Sequence, residues 1–155
     1  MLAADSRFSD NGVHCTSGKK VFRLKNGAIL GLAGDADFRD MVALVGATTP
    51  GKMPSRSALA ELKMSCFGVV VFPKGQVFLI ESDHYEYDHE GEWGGQVVPI
   101  WDPFVAVGCG AQFAYGAMEV GASPVQAVRA ACRRDGACAL PVQYESLEMK
   151  KALKT

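Results

Sequence analysis

An Asn-Gly pair set between two apolar runs constrains the folding of this chain more than any other short feature. Lys20-Val-Phe-Arg-Leu24 and Ala28-Ile-Leu-Gly-Leu-Ala33 flank Lys25-Asn26-Gly27, and such an insertion is the strongest local signal for a β-hairpin. A hairpin brings antiparallel pairing with it. Gly31 and Gly34 would weaken an ordinary strand, so they mark places where another part of the backbone approaches closely. Beyond Gly34 the period changes: Phe38, Met41, Val42 and Val45 fall at i, i+3, i+4 and i+7, which predicts an amphipathic helix with Asp35 as its N-cap and Gly46 as its stop.

The remaining elements follow from the same signals. Residues 47–55, with Thr48-Thr49-Pro50-Gly51 and Pro54, read as a loop, and Ser57 to Lys63 as a short helix. Cys66 to Phe72 and Gln76 to Glu81 flank Pro73-Lys74-Gly75, predicting a second hairpin; its Val69-Val70-Val71 run is apolar enough for burial on both faces. Ser82 to Gly95 is polar and acidic, and Gln96 to Ile100 and Phe104 to Val107 read as two short strands. Gln112 to Val120 is helical, with Phe113, Ala114, Ala117 and Met118 on one face and Gly121 as C-cap. Ser123-Pro124-Val125-Gln126 combines a capping box with proline at the first helical position. It opens a helix whose Val125, Val128 and Cys132 share a face and which Asp135-Gly136 ends, before a final strand from Ala137 to Tyr144. The order is that of an α+β domain.

Composition bounds what such a domain does. With 155 residues, 48% hydrophobic, 21% charged and a net charge of −1, residues 1–155 suffice for one domain with a real core, and neither a disordered chain nor a nucleic-acid binder fits. Cys15, Cys66, Cys109, Cys132 and Cys138 are odd in number and lack C-x-x-C spacing, which points away from a disulfide framework or zinc ribbon and toward a reducing, cytoplasmic setting. No apolar run approaches the roughly 18 residues of a membrane span, and the start lacks a secretory pattern.

Four separated motifs occur in one order: Ala3-Ala4-Asp5-Ser6-Arg7, Lys19-Lys20-Val21, Leu32-Ala33-Gly34-Asp35 and Val107-Gly108-Cys109-Gly110, followed by Arg134-Asp135-Gly136-Ala137-Cys138. In this set the chain resembles the proteasome β subunit and the HslV-type peptidase, both N-terminal nucleophile (Ntn) hydrolases, with a phage or bacterial proteasome-like branch the nearest. The resemblance implies a four-layer αββα sandwich of two antiparallel sheets flanked by helices. It also implies threonine-type hydrolysis of amide bonds in a peptide or protein substrate, within a homo-oligomer such as a ring. An ATP-dependent unfoldase is a candidate partner, and no metal or organic cofactor is required.

Carried over residue by residue, the resemblance makes Lys20 the lysine beside the nucleophilic threonine, whose own α-amine is the general base. An ammonium there lowers the pKa of neighbouring groups. Asp5 would hold Lys20 charged and aimed, and the Gly34 N–H would face the developing oxyanion. Cys109, Asp135 and Cys138 stand where the family carries serine, aspartate and serine around the terminal amine. A thiol is a weak donor and a weak acceptor where a hydroxyl is good at both, so that network would be loosened.

In the family the threonine precedes the aspartate motif by about a dozen residues, roughly a strand and a turn. Four residues precede Asp5 here, and Leu2 follows Met1, a bulk that blocks removal of the initiator methionine; the chain as written is expected to lack the nucleophile and cleave no peptide. Two alternatives stand beside this reading, a non-catalytic subunit of a proteasome-like oligomer and an Ntn amidase with serine or cysteine first. Plainer readings exist for single residues as well. Asp5 and Lys20 taken alone would be a surface ion pair, Gly34 a strand-to-helix break, Asp135 a helix terminator, and Cys109 and Cys138 small buried hydrophobes. Alternation would bring His84, Glu86 and Asp88 to one side of a strand as metal ligands, against the plainer reading of an acidic, solvated hairpin end. Trp93 and Trp101 read as core or subunit-contact residues, and His14 as part of a polar loop.

Overall fold

The computed structural model describes residues 1–10, 14–34, 37–87 and 90–147. Its frame is a five-stranded antiparallel sheet made of β4 (Val21–Arg23), β5 (Ile29–Gly34), β6 (Cys66–Val71), β7 (Val77–Tyr87) and β8 (Glu90–Ile100), each strand paired with the next in sequence. The first hairpin forms where Asn26-Gly27 predicts it: Leu24 N–H donates to Ala28 O at 2.9 Å and Gly27 takes φ +84°. Pro73-Lys74-Gly75 makes the second turn, closed by Phe72 N–H to Gln76 O at 2.9 Å.

Alternation sorts the sheet into two faces. Leu30, Leu32, Val70 and Ile80 pack with Phe38 and with Met41 and Val45 of α1 (Arg39–Gly46) and Leu59 of α2 (Arg56–Ala60), forming the larger core. Val21, Ile29 and Val69 face the other way and meet Leu2 of β1 (Leu2–Ala4). The expected close approach of backbone holds at Gly34, beside Ser65 O and Cys66 Cα, but at Gly31 the neighbour is a side chain: a Cβ there would lie 2.4 Å from Leu2 Cδ2. A second, two-stranded sheet pairs β1 antiparallel with β9 (Gln143–Glu145). Against β1 packs α4 (Pro124–Arg134), through buried Ala127 and Ala131, and α3 (Ala111–Glu119) lies along α4. The Ser123–Gln126 capping box is present with both of its hydrogen bonds. Among the described residues no helix is long and apolar enough to cross a membrane.

Several expectations needed correction. Pairing along the first residues is interrupted at Asp5-Ser6, between β1 and the next strand, because the Asp5 carboxylate accepts the Arg7 N–H at 2.8 Å and bends the chain. Pairing resumes in a further hairpin of β2 (Arg7–Asp10) and β3 (His14–Ser17), so His14 sits on a strand backbone rather than in a loop. The acidic stretch after Ser82 forms the arms of β7 and β8, eleven residues each. Residues 104–107 belong to no sheet among the described residues, although Val105 and Val107 pack against the smaller core of Leu2, Val21, Ile29 and Val69. The final strand shrinks to three residues because Pro141 has no N–H to give a ladder. Helix α1 includes Gly46 and begins at Arg39, whose N–H is taken by the Asp37 carboxylate; Asp35, the expected cap, lies outside the described residues, as do Asp88 and the side chains of His84, Glu86 and Trp93. Trp101 is 90% exposed, which removes it from the core.

Candidate functional site

The interruption at Asp5-Ser6 organises the site. By turning out of the strand, Asp5 places Oδ1 at 2.9 Å from Lys20 Nζ, with side chains only 13% and 10% exposed. A surface ion pair is thereby excluded. Oδ2 accepts N–H groups from Arg7 at 2.8 Å and Ala139 at 3.2 Å, so the carboxylate is oriented through Oδ2 and leaves Oδ1 for Lys20. Above the ammonium lies the Phe8 ring, 4.9 Å to its centroid, a cation–π contact that covers one side of the cation. The Lys20 backbone is held as well: its N–H donates to Gln143 Oε1 at 2.9 Å while Gln143 Nε2 donates to Gly18 O. Gln143, Phe8 and Ala139 had no role assigned from sequence. Gln143 lies inside the predicted last strand, but nothing in a lone glutamine there signals a backbone clamp reaching more than a hundred residues back.

The turn after α4 carries the second half. Asp135 is the C-cap of α4, and its Oδ1 accepts the Ala137 N–H at 2.8 Å while its backbone O accepts the Cys138 N–H at 3.1 Å. These bonds bring Cys138 beside Cys109, which precedes α3, with the two sulfurs 3.8 Å apart. Ligand-type atoms of Cys109, Asp135 and Cys138 all lie within 4.8 Å of one another. The turn is wired to the Asp5 side through Ser6 N–H to Ala139 O at 3.0 Å and through the Arg7 guanidinium on Gly136 O. Burial pushes the Cys138 thiol up to about 12, helped by the charges of Cys109, Asp5 and Asp135. Burial likewise raises the Cys132 thiol, with Asp5 adding to it.

Asp5, Lys20, Gly34, Cys109 and Cys138 line one cavity of about 570 Å³ that runs between β1 and residues 102–110; Asp135 stands behind the two cysteines and does not line it. The sequence thus named six residues that the fold gathers at one place. Cys109 is exposed, which rules out simple core packing for it, whereas Cys138 is buried. Gly34 needs no substrate to explain it: at φ +121° an added Cβ would lie 2.3 Å from Ser65 O and 2.6 Å from Cys66 Cα, so the approach of β6 alone demands glycine. Chemically, the cavity wall presents an ammonium with three donor hydrogens, one committed to Asp5, in a mostly apolar chamber that Arg7 and Asp102 also line. Such a cation stabilises an anion or lowers the pKa of a nucleophile brought beside it. Comparison with protein-family models, with curated proteins and with solved structures returned no match.

Proposed function

We propose that this chain is the scaffold of a proteasome-like, threonine-type amide hydrolase in which Lys20, held by Asp5, activates a nucleophile presented in the cavity. The observation that carries the reading is the buried Lys20–Asp5 pair opening on that cavity, with Cys109 and Cys138 on the same wall. In this reading the packing order of α1 and α2, the five-stranded sheet, the β1–β9 sheet, and α3 and α4 is the αββα sandwich. Among the described residues β9 is the one strand paired with β1. A nucleophile-bearing strand would lie along the other edge of β1, between it and Val105–Val107, where its backbone groups find partners. The substrate is a peptide or protein, and the functional unit is a homo-oligomer such as a ring, an assembly for which the 90% exposed Trp101 offers a contact.

The test is to place a strand of about eight residues, one strand and a turn in length, in front of Leu2 with a freed threonine at its start. Fluorogenic peptides should be hydrolysed by this protein. Turnover should vanish when the leading threonine is alanine, and fall steeply in Lys20→Arg, which keeps the charge but not the compact ammonium. A folded threonine-led protein that hydrolyses nothing, or whose turnover is indifferent to Lys20, would refute the reading.

A further inference from the structure

We propose that Cys109, Asp135 and Cys138 form a three-ligand site for a thiophilic divalent ion of the zinc class, with its fourth position open to the cavity. The inference uses three residues that the hydrolase reading places around the terminal amine, but it rests on the chemistry of the two thiols and the carboxylate themselves and is tested without turnover. Its first support is a length. A tetrahedral ion with metal–sulfur bonds of about 2.3 Å separates its two sulfurs by roughly 3.8 Å, and the Cys109 and Cys138 sulfurs are 3.8 Å apart. Disulfide sulfurs lie at about 2.05 Å, so the pair is not bonded; the two thiols are in contact, and that contact distance is also the one at which both can ligate a single ion without moving apart.

The second support is the third ligand and how it is held. A carboxylate oxygen of Asp135 lies within 4.8 Å of both sulfurs, close enough to complete one face of a tetrahedron after small rotations of the side chain. Asp135 Oδ1 already accepts the Ala137 N–H at 2.8 Å, the kind of outer hydrogen bond that orients a ligating group. Backbone geometry keeps the three together: Cys138 N–H donates to Asp135 O, fixing the turn, and Gly110 leaves room for the sulfur, since a Cβ there would sit 2.6 Å from Cys138 Sγ.

The third support is access. Cys109 is exposed and Cys138 buried, and both line the cavity, so an ion enters past Cys109 and meets solvent or ligand on the cavity side. Two thiolates with one carboxylate suit zinc-class ions and not the oxygen-seeking magnesium or calcium, and three protein ligands with one open position are the pattern of reactive rather than purely structural zinc. Binding releases the two thiol protons to solvent while the ion accepts the sulfur lone pairs. No electron changes hands.

Cobalt(II) is the probe. Reduced, chelator-stripped protein titrated with it should develop thiolate charge-transfer absorption in the near ultraviolet and tetrahedral ligand-field bands in the visible. Both should saturate at one equivalent and be displaced by zinc. Cys109→Ser, at an exposed position that spares the fold, should lose the charge-transfer intensity expected of two thiolates. Asp135→Asn should weaken binding by at least the ~10–100-fold that loss of a mere outer-shell partner costs. Cys132→Ser should change nothing. Three results would each overturn the site: no such bands in the reduced protein, bands that persist unchanged in Cys109→Ser, or bands that disappear with Cys132 instead. Because no turnover is measured, failure here leaves the hydrolase reading intact, and the reverse also holds.

Discussion

Asp5 and Lys20 are unequal partners, and the inequality is measurable. Replacing Lys20 by methionine leaves the Asp5 carboxylate still accepting from Arg7 and Ala139. Replacing Asp5 by alanine strips a buried ammonium of its counter-charge and orphans both N–H groups, leaving only the Phe8 ring. Breaking a buried pair from one side costs about 3–5 kcal/mol, and Asp5→Ala should fall at or above the top of that range while Lys20→Met falls below it. Chemical denaturation of both single variants and the double variant decides the matter: a coupling of about 1–3 kcal/mol is expected, and equal single costs would contradict the asymmetry. Cys138 gives a second residue-scale outcome, in metal-free protein. Its folded thiol keeps its proton up to about 12 against an ordinary value of 9.0, so between those values the native state binds more protons than the unfolded state. The stabilisation is complete below the lower value and is lost as pH rises through the window. Stability measured from pH 8 to 11 should therefore fall more steeply in the wild type than in Cys138→Ala. The six site residues were legible as types in ordered motifs; the clamp by Gln143 was not, since it depends on two segments meeting that no local pattern connects.

At the level of elements, the hairpins and helices were legible wherever local chemistry is decisive. Asn26-Gly27, Pro73-Lys74-Gly75 and the Ser123–Gln126 capping box each form as expected. What escaped was set by partners: residues 104–107 look like a strand, yet a strand exists only where another edge accepts its hydrogen bonds, and the β2–β3 hairpin depends on the bend at Asp5. Two glycines of β5 show how differently one residue type can be constrained. Gly34 meets backbone of β6 at positive φ, whereas Gly31 meets only the methyl end of Leu2, which has the cavity to swing into. Gly34→Ala should cost about 3 kcal/mol or more, combining unfavourable φ with a clash that cannot relax, and Gly31→Ala about 1 kcal/mol. Thermal melting of the two variants should preserve that order, and the reverse order would mean that Leu2, not β6, is the rigid neighbour.

Across the whole molecule, stability should be divided unevenly. The five-stranded sheet is filled on one side by Phe38, Met41, Val45, Leu59 and Phe72, all nearly inaccessible to solvent, and its central strands β5, β6 and β7 have neighbours on both edges. The β1–β9 pair has three residues on each strand, one described ladder, and beside it a cavity of about 570 Å³. Few apolar contacts and short ladders define the parts of a protein that open without global unfolding. Amide hydrogen exchange under native conditions should therefore be slowest in β5 and β6, approaching the global unfolding free energy, and faster by orders of magnitude in Leu2–Ala4 and Gln143–Glu145. Lys20 and Asp5 straddle the two regions, one following Lys19 into β4 and the other following β1. Removing the pair with Lys20→Met should consequently speed exchange in β1 and β9 while leaving β6 nearly unchanged relative to the new global stability. Uniform protection across both sheets would show instead that the second sheet folds as one unit with the first, and that the cavity costs the molecule little of its cooperativity.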